Sequence, residues 1–221
     1  MTRVDATVTP QPIRVTVEVP PVRILMRTHL WISWARIAIQ HETMAKEARQ
    51  KLEQAAPENR DGYMLQREAD AALVAICAAA FALEAVTREL DDLVTLPPAT
   101  LAAWQRNPPP ADRHVLELLK LSVDPRGLVA MWTREMAWLF GVRGGAVHYE
   151  GMNEPTQPHP VGMNVAAAQI TYSPENATRA VDVLLGILER CRDRPKPPVR
   201  GWSNGTRHAV DELIGRRGHG V

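Results

Sequence analysis

Lysine is scarce in this chain, with 4 residues against 22 arginines, and cysteine occurs only at positions 77 and 191. Neither cysteine belongs to a CxxC, which argues against a disulfide framework or a zinc ribbon. Both are expected to be small buried hydrophobes in a reducing compartment. The longest unbroken apolar run, Ala71 to Leu83, has 13 residues, short of the ~20 that span a bilayer. No apolar segment of signal-peptide type stands at the N-terminus. These absences lead us to expect a cytoplasmic protein with no membrane partner.

Several enzyme signatures are also missing. There is no Gly-Lys pair, hence no P-loop, and no GxGxxG follows a strand. None of the 7 histidines lies three residues after a glutamate, as di-iron bundles require. His41-Glu42 opens like a zincin motif, but Ala45 stands where the second ligand should be. No metal and no cofactor are expected.

What is present suits one folded core of 221 residues, with 45% apolar and 23% charged side chains. The net charge of +1 argues against a polycation that coats nucleic acid. Charge is nevertheless segregated. Residues 61–95 carry seven acids and two arginines, whereas residues 190–221 carry eight basic side chains and three acids. A basic C-terminal segment of this kind permits contact with RNA phosphates.

Along the chain, residues 1–23 alternate Ile13, Val15, Val17 and Val19 with polar positions between prolines. This predicts a short N-terminal strand whose partner would come from Val161 to Tyr172. Residues 24–55 form a helix with the stripe Leu30, Trp34, Ile37, His41, Met44, Ala48 and Leu52. A second helix over 61–94 is apolar nearly all round in its middle and should be central. A proline-rich connection over 95–113 precedes a short helix, His114 to Leu121. Asp124-Pro125 then reads as an N-cap and first-turn proline opening a third long helix near Arg126. Ser173-Pro174-Glu175 repeats that signature for a fourth, and a short last helix covers Thr206 to Ile214. Three segments result: an arm at 1–23, a helical body at 24–193, and a basic linker and helix at 194–221.

The third helix carries the main anomaly. Its stripe Leu128, Trp132, Met136, Leu139 continues by one turn onto Arg143, so a cation occupies a core-facing position. Such a cation needs an anionic partner. Glu84, directly after the apolar centre of the second helix, is the obvious carboxylate; a phosphate is the other possibility. Two glycines and then His148-Tyr149 follow within six residues.

Arg143-Gly144-Gly145-Ala146-Val147-His148, at the end of a long helix behind Leu139-Phe140, resembles the Arg-x4–6-His motif of the HEPN superfamily, small four-helix proteins that include many prokaryotic RNases. The Ala80-Phe81-Ala82-Leu83-Glu84 stretch and the Ser-Pro-Glu opening of the fourth helix are similar as well. Spacing alone decides nothing, because Arg23 to His29 and Arg36 to His41 satisfy it too; position behind the third helix singles out the last pair. The resemblance, over residues 24–193, implies a mainly α fold: a four-helix up-down bundle with the short N-terminal β appendage. It also implies a homodimer whose two motifs face one cleft, acting as a metal-independent endoribonuclease on RNA, in toxin or defence settings and with an antitoxin or other protein partner. Arg143 would hold the scissile phosphate and His148 would be general base or acid. Tyr149 would contribute a hydroxyl, and Glu84 would orient Arg143. Gly144, where active members usually carry a polar residue, leaves open a non-catalytic bundle that binds RNA or a protein. A purely structural reading also stays open, with Arg143 bridged to Glu84 and His148 capping the helix.

Overall fold

A computed structural model describes residues 29–147 and 156–218. The N-terminal arm, His148 and Tyr149 lie outside the described residues. Among the described residues the protein is mainly helical, with one small sheet. The elements are α1 (Leu30–Gln54), α2 (Gly62–Asp91), α3 (Pro98–Arg106), α4 (Ala111–Ser122), α5 (Val129–Val147), β1 (Gln157–Pro158), β2 (Asn164–Val165), α6 (Ala167–Thr171), α7 (Pro174–Asp193) and α8 (Arg200–Gly218).

The centre is α2. The Asp61 side chain accepts from the Met64 amide at 2.8 Å and caps its start, and no glycine or proline interrupts it after Gly62. Alanines at 72, 75, 79, 80 and 82 are fully buried, so several helices approach its backbone closely. It packs on α1, α4, α5 and α7. Fully buried Ile76, Leu83 and Leu90 each contribute about 1.5–3 kcal/mol of apolar burial. By length and composition α2 could also cross a membrane, but 61% of its most apolar window is buried inside the fold, the pattern of a core helix.

Cross-contacts give the helix directions. His29 meets Glu89, Trp34 meets Phe81, and Arg49 meets Glu68, so α1 and α2 run antiparallel. Arg179 reaches Glu135, and Arg190 reaches the Asp124 carbonyl, so α7 runs antiparallel to α5.

Five expectations need correction. The buried residues of α1 are Trp31, Ala35, Ala38, Ile39, Glu42, Ala45, Arg49 and Leu52; of the expected stripe Leu52 is buried, whereas Leu30, Trp34 and Met44 are exposed. The helix α5 starts at Val129 rather than near Arg126. Asp124 caps no helix there, because its carboxylate binds Arg126 through both the amide and Nε, while Arg126 (φ 32°) and Gly127 (φ 81°) turn the chain. The proline-rich connection contains α3. Within Val161 to Tyr172 only Asn164–Val165 is strand, paired with β1 (Gln157 opposite Val165), and Ala167–Thr171 is α6; the expected pairing with the N-terminal arm lies outside the described residues. The last helix is longer than expected, beginning at Arg200, and packs on α1 and α7.

Candidate functional site

Arg143 lies one turn before the end of α5, and its side chain is 27% exposed. The residues that surround it come from a single face of α2: Cys77, Phe81 and Glu84, at i, i+4 and i+7. Its guanidinium sits over the Phe81 ring, 5.0 Å from the centroid, and Phe81 packs in turn at a tilt against Trp34 of α1, centroids 5.1 Å apart. Glu84 is the nearest carboxylate. Both of its oxygens stand 3.4 Å from the same Arg143 nitrogen.

That pair is long. By contrast, Arg49 and Glu68 make a bidentate bridge at 2.6 and 2.8 Å. The Nε of Arg143 is buried and has no hydrogen-bond partner among the described residues. A guanidinium has five N–H donors, and Glu84 occupies one nitrogen of Arg143 loosely. The arginine is therefore oriented but not saturated.

Two further groups close the site. The Tyr172 hydroxyl donates to the Val142 carbonyl at 3.3 Å and lies beside Gly145. Burial pushes its pKa up, with a smaller contribution from Cys77. Cys77, expected to be buried, is only half-buried; burial raises its pKa while the charge of Arg143 pulls the other way. Sequence reasoning missed both residues, although the Cys77–Phe81–Glu84 spacing was there to find. The backbone of α5 stays helical through Gly144 and Gly145 to Val147. The glycine pair makes no bend.

A second polar cluster was also missed. Arg49, Glu68 and His159 are all buried, and the His159 Nε2 is 3.3 Å from Glu68 and 3.2 Å from Arg49. Glu175 adds a second carboxylate to Arg49 at 3.1 Å. The Val161 amide donates to Nδ1 of His159, so the hairpin is tied to α1 and α2 through this ring. The signal was a charged residue in the buried row of each helix.

Gly201-Trp202-Ser203-Asn204-Gly205 has the GxSxG spacing of a nucleophile elbow, which sequence reasoning passed over. Its surroundings rule out that role. Ser203 is fully buried in the first turns of α8, follows a 3-10 turn rather than a strand, and donates to the Arg192 carbonyl at 3.1 Å. Among the described residues no group of three or more His, Cys, Asp or Glu converges as metal ligands would.

No protein-family model matches this chain, no curated protein matches it, and no solved structure matches its fold.

Proposed function

We propose that the protein is a HEPN-type, metal-independent endoribonuclease acting as a homodimer. In this reading α1, α2, α5 and α7 are the four helices of the bundle, and α8 is an addition to it. Arg143 binds and stabilises the scissile phosphate, Glu84 orients it, and His148 with Tyr149 serves the proton transfers. The reaction is attack of the ribose 2′-oxygen on phosphorus with loss of the 5′-oxygen, leaving a 2′,3′-cyclic phosphate. His148 takes the hydroxyl proton, Arg143 neutralises charge on the phosphorane, and the Tyr149 hydroxyl protonates the departing 5′-oxygen and is reprotonated by solvent.

The observation that carries this reading is the unsaturated Arg143: half-buried, aimed by a carboxylate at 3.4 Å, with its Nε unpaired. A purely structural ion pair would resemble Arg49–Glu68 instead. The unbent path of α5 through the glycine pair supports a site shared between subunits. Were the helix to run on to His148, residues five apart would point about 140° apart, and one helix would not readily aim both groups at one phosphate. Exposed Trp34 on α1, in contact with Phe81 beneath Arg143, and exposed Leu30 and Met44 on the same helix supply apolar surface for a second copy.

The test is cleavage of RNA by the purified protein in a chelator, beside Arg143→Ala and His148→Ala. Wild-type cleavage with cyclic ends, lost in each variant and partly restored when the two variants are mixed, is the expected result. Silence of a folded wild-type dimer would overturn the nuclease reading. That outcome, with salt-sensitive RNA binding retained, selects the non-catalytic binding bundle, which Gly144 favours because it offers no polar side chain beside Arg143.

A further inference from the structure

The basic charge at the C-terminus is mostly consumed by the fold. Arg190 binds the Asp124 carbonyl, and Lys196 binds the Lys120 carbonyl. Arg192 is held by Asp193 and Asp211. Arg216 pairs with Glu212, and Arg217 pairs with Glu42 and Asp182. Three cations are left among the described residues. Arg194 and Arg200 make no close ion pair with a carboxylate, and Arg207 spends one nitrogen on the Arg192 carbonyl, while the charges of Arg207 and Arg194 also reach Asp193.

These three are all exposed and line the same open cavity of 450 Å³, where the end of α7 meets the start of α8 and the loop before α5. Arg126 and Asn204 complete its polar wall. The two acids there are already occupied: Asp193 by Arg192, and Asp124 by Arg126. Arg200, Asn204 and Arg207 follow at i, i+4 and i+7, one exposed column on α8. Seven residues of helix set the two arginines about 10 Å apart along the axis. A single small anion does not bridge that distance, whereas consecutive phosphates of a strand do. Pro195 is the only apolar side chain in the lining, which disfavours a membrane or an amphipathic peptide.

We propose that this groove binds the sugar–phosphate backbone of the RNA strand, with Arg194, Arg200 and Arg207 as its phosphate contacts. The inference rests on the RNA reading above but concerns a different surface. The groove abuts the start of α5, and Arg143 lies about 20 Å further along that helix. It therefore holds the strand at a distance from the scissile bond. Planar guanidinium forks suit this task and read no base sequence.

Binding of a fluorescent polyuridine oligonucleotide to the full chain, titrated over a range of salt, tests it. The variants are Arg194→Gln/Arg200→Gln/Arg207→Gln, Arg200→Glu alone, and Arg143→Gln; circular dichroism melting verifies that each folds. The triple variant should bind about tenfold more weakly or worse, and its slope of log affinity against log salt should fall by about 2, at ~0.7 per lost contact. Arg143→Gln should lose no more than one contact's worth of slope. Wild-type affinity and slope in the triple variant, with RNA bound by the wild type, would overturn the groove and leave the nuclease reading standing. Absence of any wild-type RNA binding would overturn both. Displacement of polyuridine by polyglutamate at equal charge would assign the groove to acidic protein instead.

Discussion

Replacing Arg49 by methionine would leave Glu68 buried against apolar neighbours, with the His159 ring as its remaining polar contact. The Glu68 side chain is 2% exposed and Arg49 is 8% exposed, so water does not replace the lost bridge. Burial works against the charge of Arg49, yet hydrogen bonding and attraction from Glu68 prevail and hold its pKa above the ordinary value. Breaking such a pair from one side costs about 3–5 kcal/mol. A carboxyl group can limit this by folding protonated, which at pH 7 costs about 3.7 kcal/mol for an ordinary glutamate. The variant then takes up a proton on folding. Its stability falls as pH rises, by up to about 1.4 kcal/mol per pH unit above the unfolded carboxyl range. Glu68→Gln behaves differently. Arginine keeps its charge and retains Glu175, so that penalty is smaller and flat with pH. The double variant Arg49→Met/Glu68→Met removes both charges and should recover most of the loss. Urea unfolding from about pH 5 to about pH 8 measures all three. A penalty for Arg49→Met below about 1 kcal/mol, or one that does not shrink toward acid, would refute the argument.

Gly141 is an exposed, mid-helix position in α5, and a Cβ built there meets nothing within 4 Å. Gly141→Ala should therefore stabilise the protein by about 0.5–1 kcal/mol, read as a higher thermal midpoint with unchanged RNA cleavage. Glu135 is held by Arg179 at 2.7 Å and by Arg134 at 2.9 Å. The Arg179 hydrogen bond is the main cause that holds its pKa below the usual carboxylate range. Its contribution is present above that range and lost as pH falls through its lowered pKa. Glu135→Gln should thus flatten the decline of stability in acid, and an unchanged acid limb would count against the pair.

The helices were largely legible because their signals are local. Ser173 caps where its sequence context predicts, and the stripe Trp132, Met136, Leu139 is buried as its period requires. The pairing of Arg143 with Glu84 was legible for the same reason, since each breaks an apolar pattern. Errors arose where two local signals competed. Asp124-Pro125 resembles a helix start, but the Arg126 side chain captures the Asp124 carboxylate and Gly127 turns the chain. The Arg49–Glu68–His159 cluster joins three separate elements, and no spacing along the chain announces such a meeting.

The misread helix is informative in its own right. A helix with one core seam shows one apolar row, yet α1 carries two, about one residue step apart. Trp31, Ala35, Ala38 and Ala45 serve the core. Leu30, Trp34 and Met44 are exposed instead, and Trp34 leads through Phe81 directly to Arg143. Trp34, Phe81 and Arg143 therefore form one line of contacts that joins this row to the arginine. If a second copy covers that surface, Trp34→Ser should weaken dimerisation and RNA cleavage together while leaving the fold intact, because Trp34 lies outside the core row. Cleavage lost while the dimer survives would separate the two and place the site within one subunit. Equilibrium sedimentation and cleavage assays on the same preparation distinguish these outcomes.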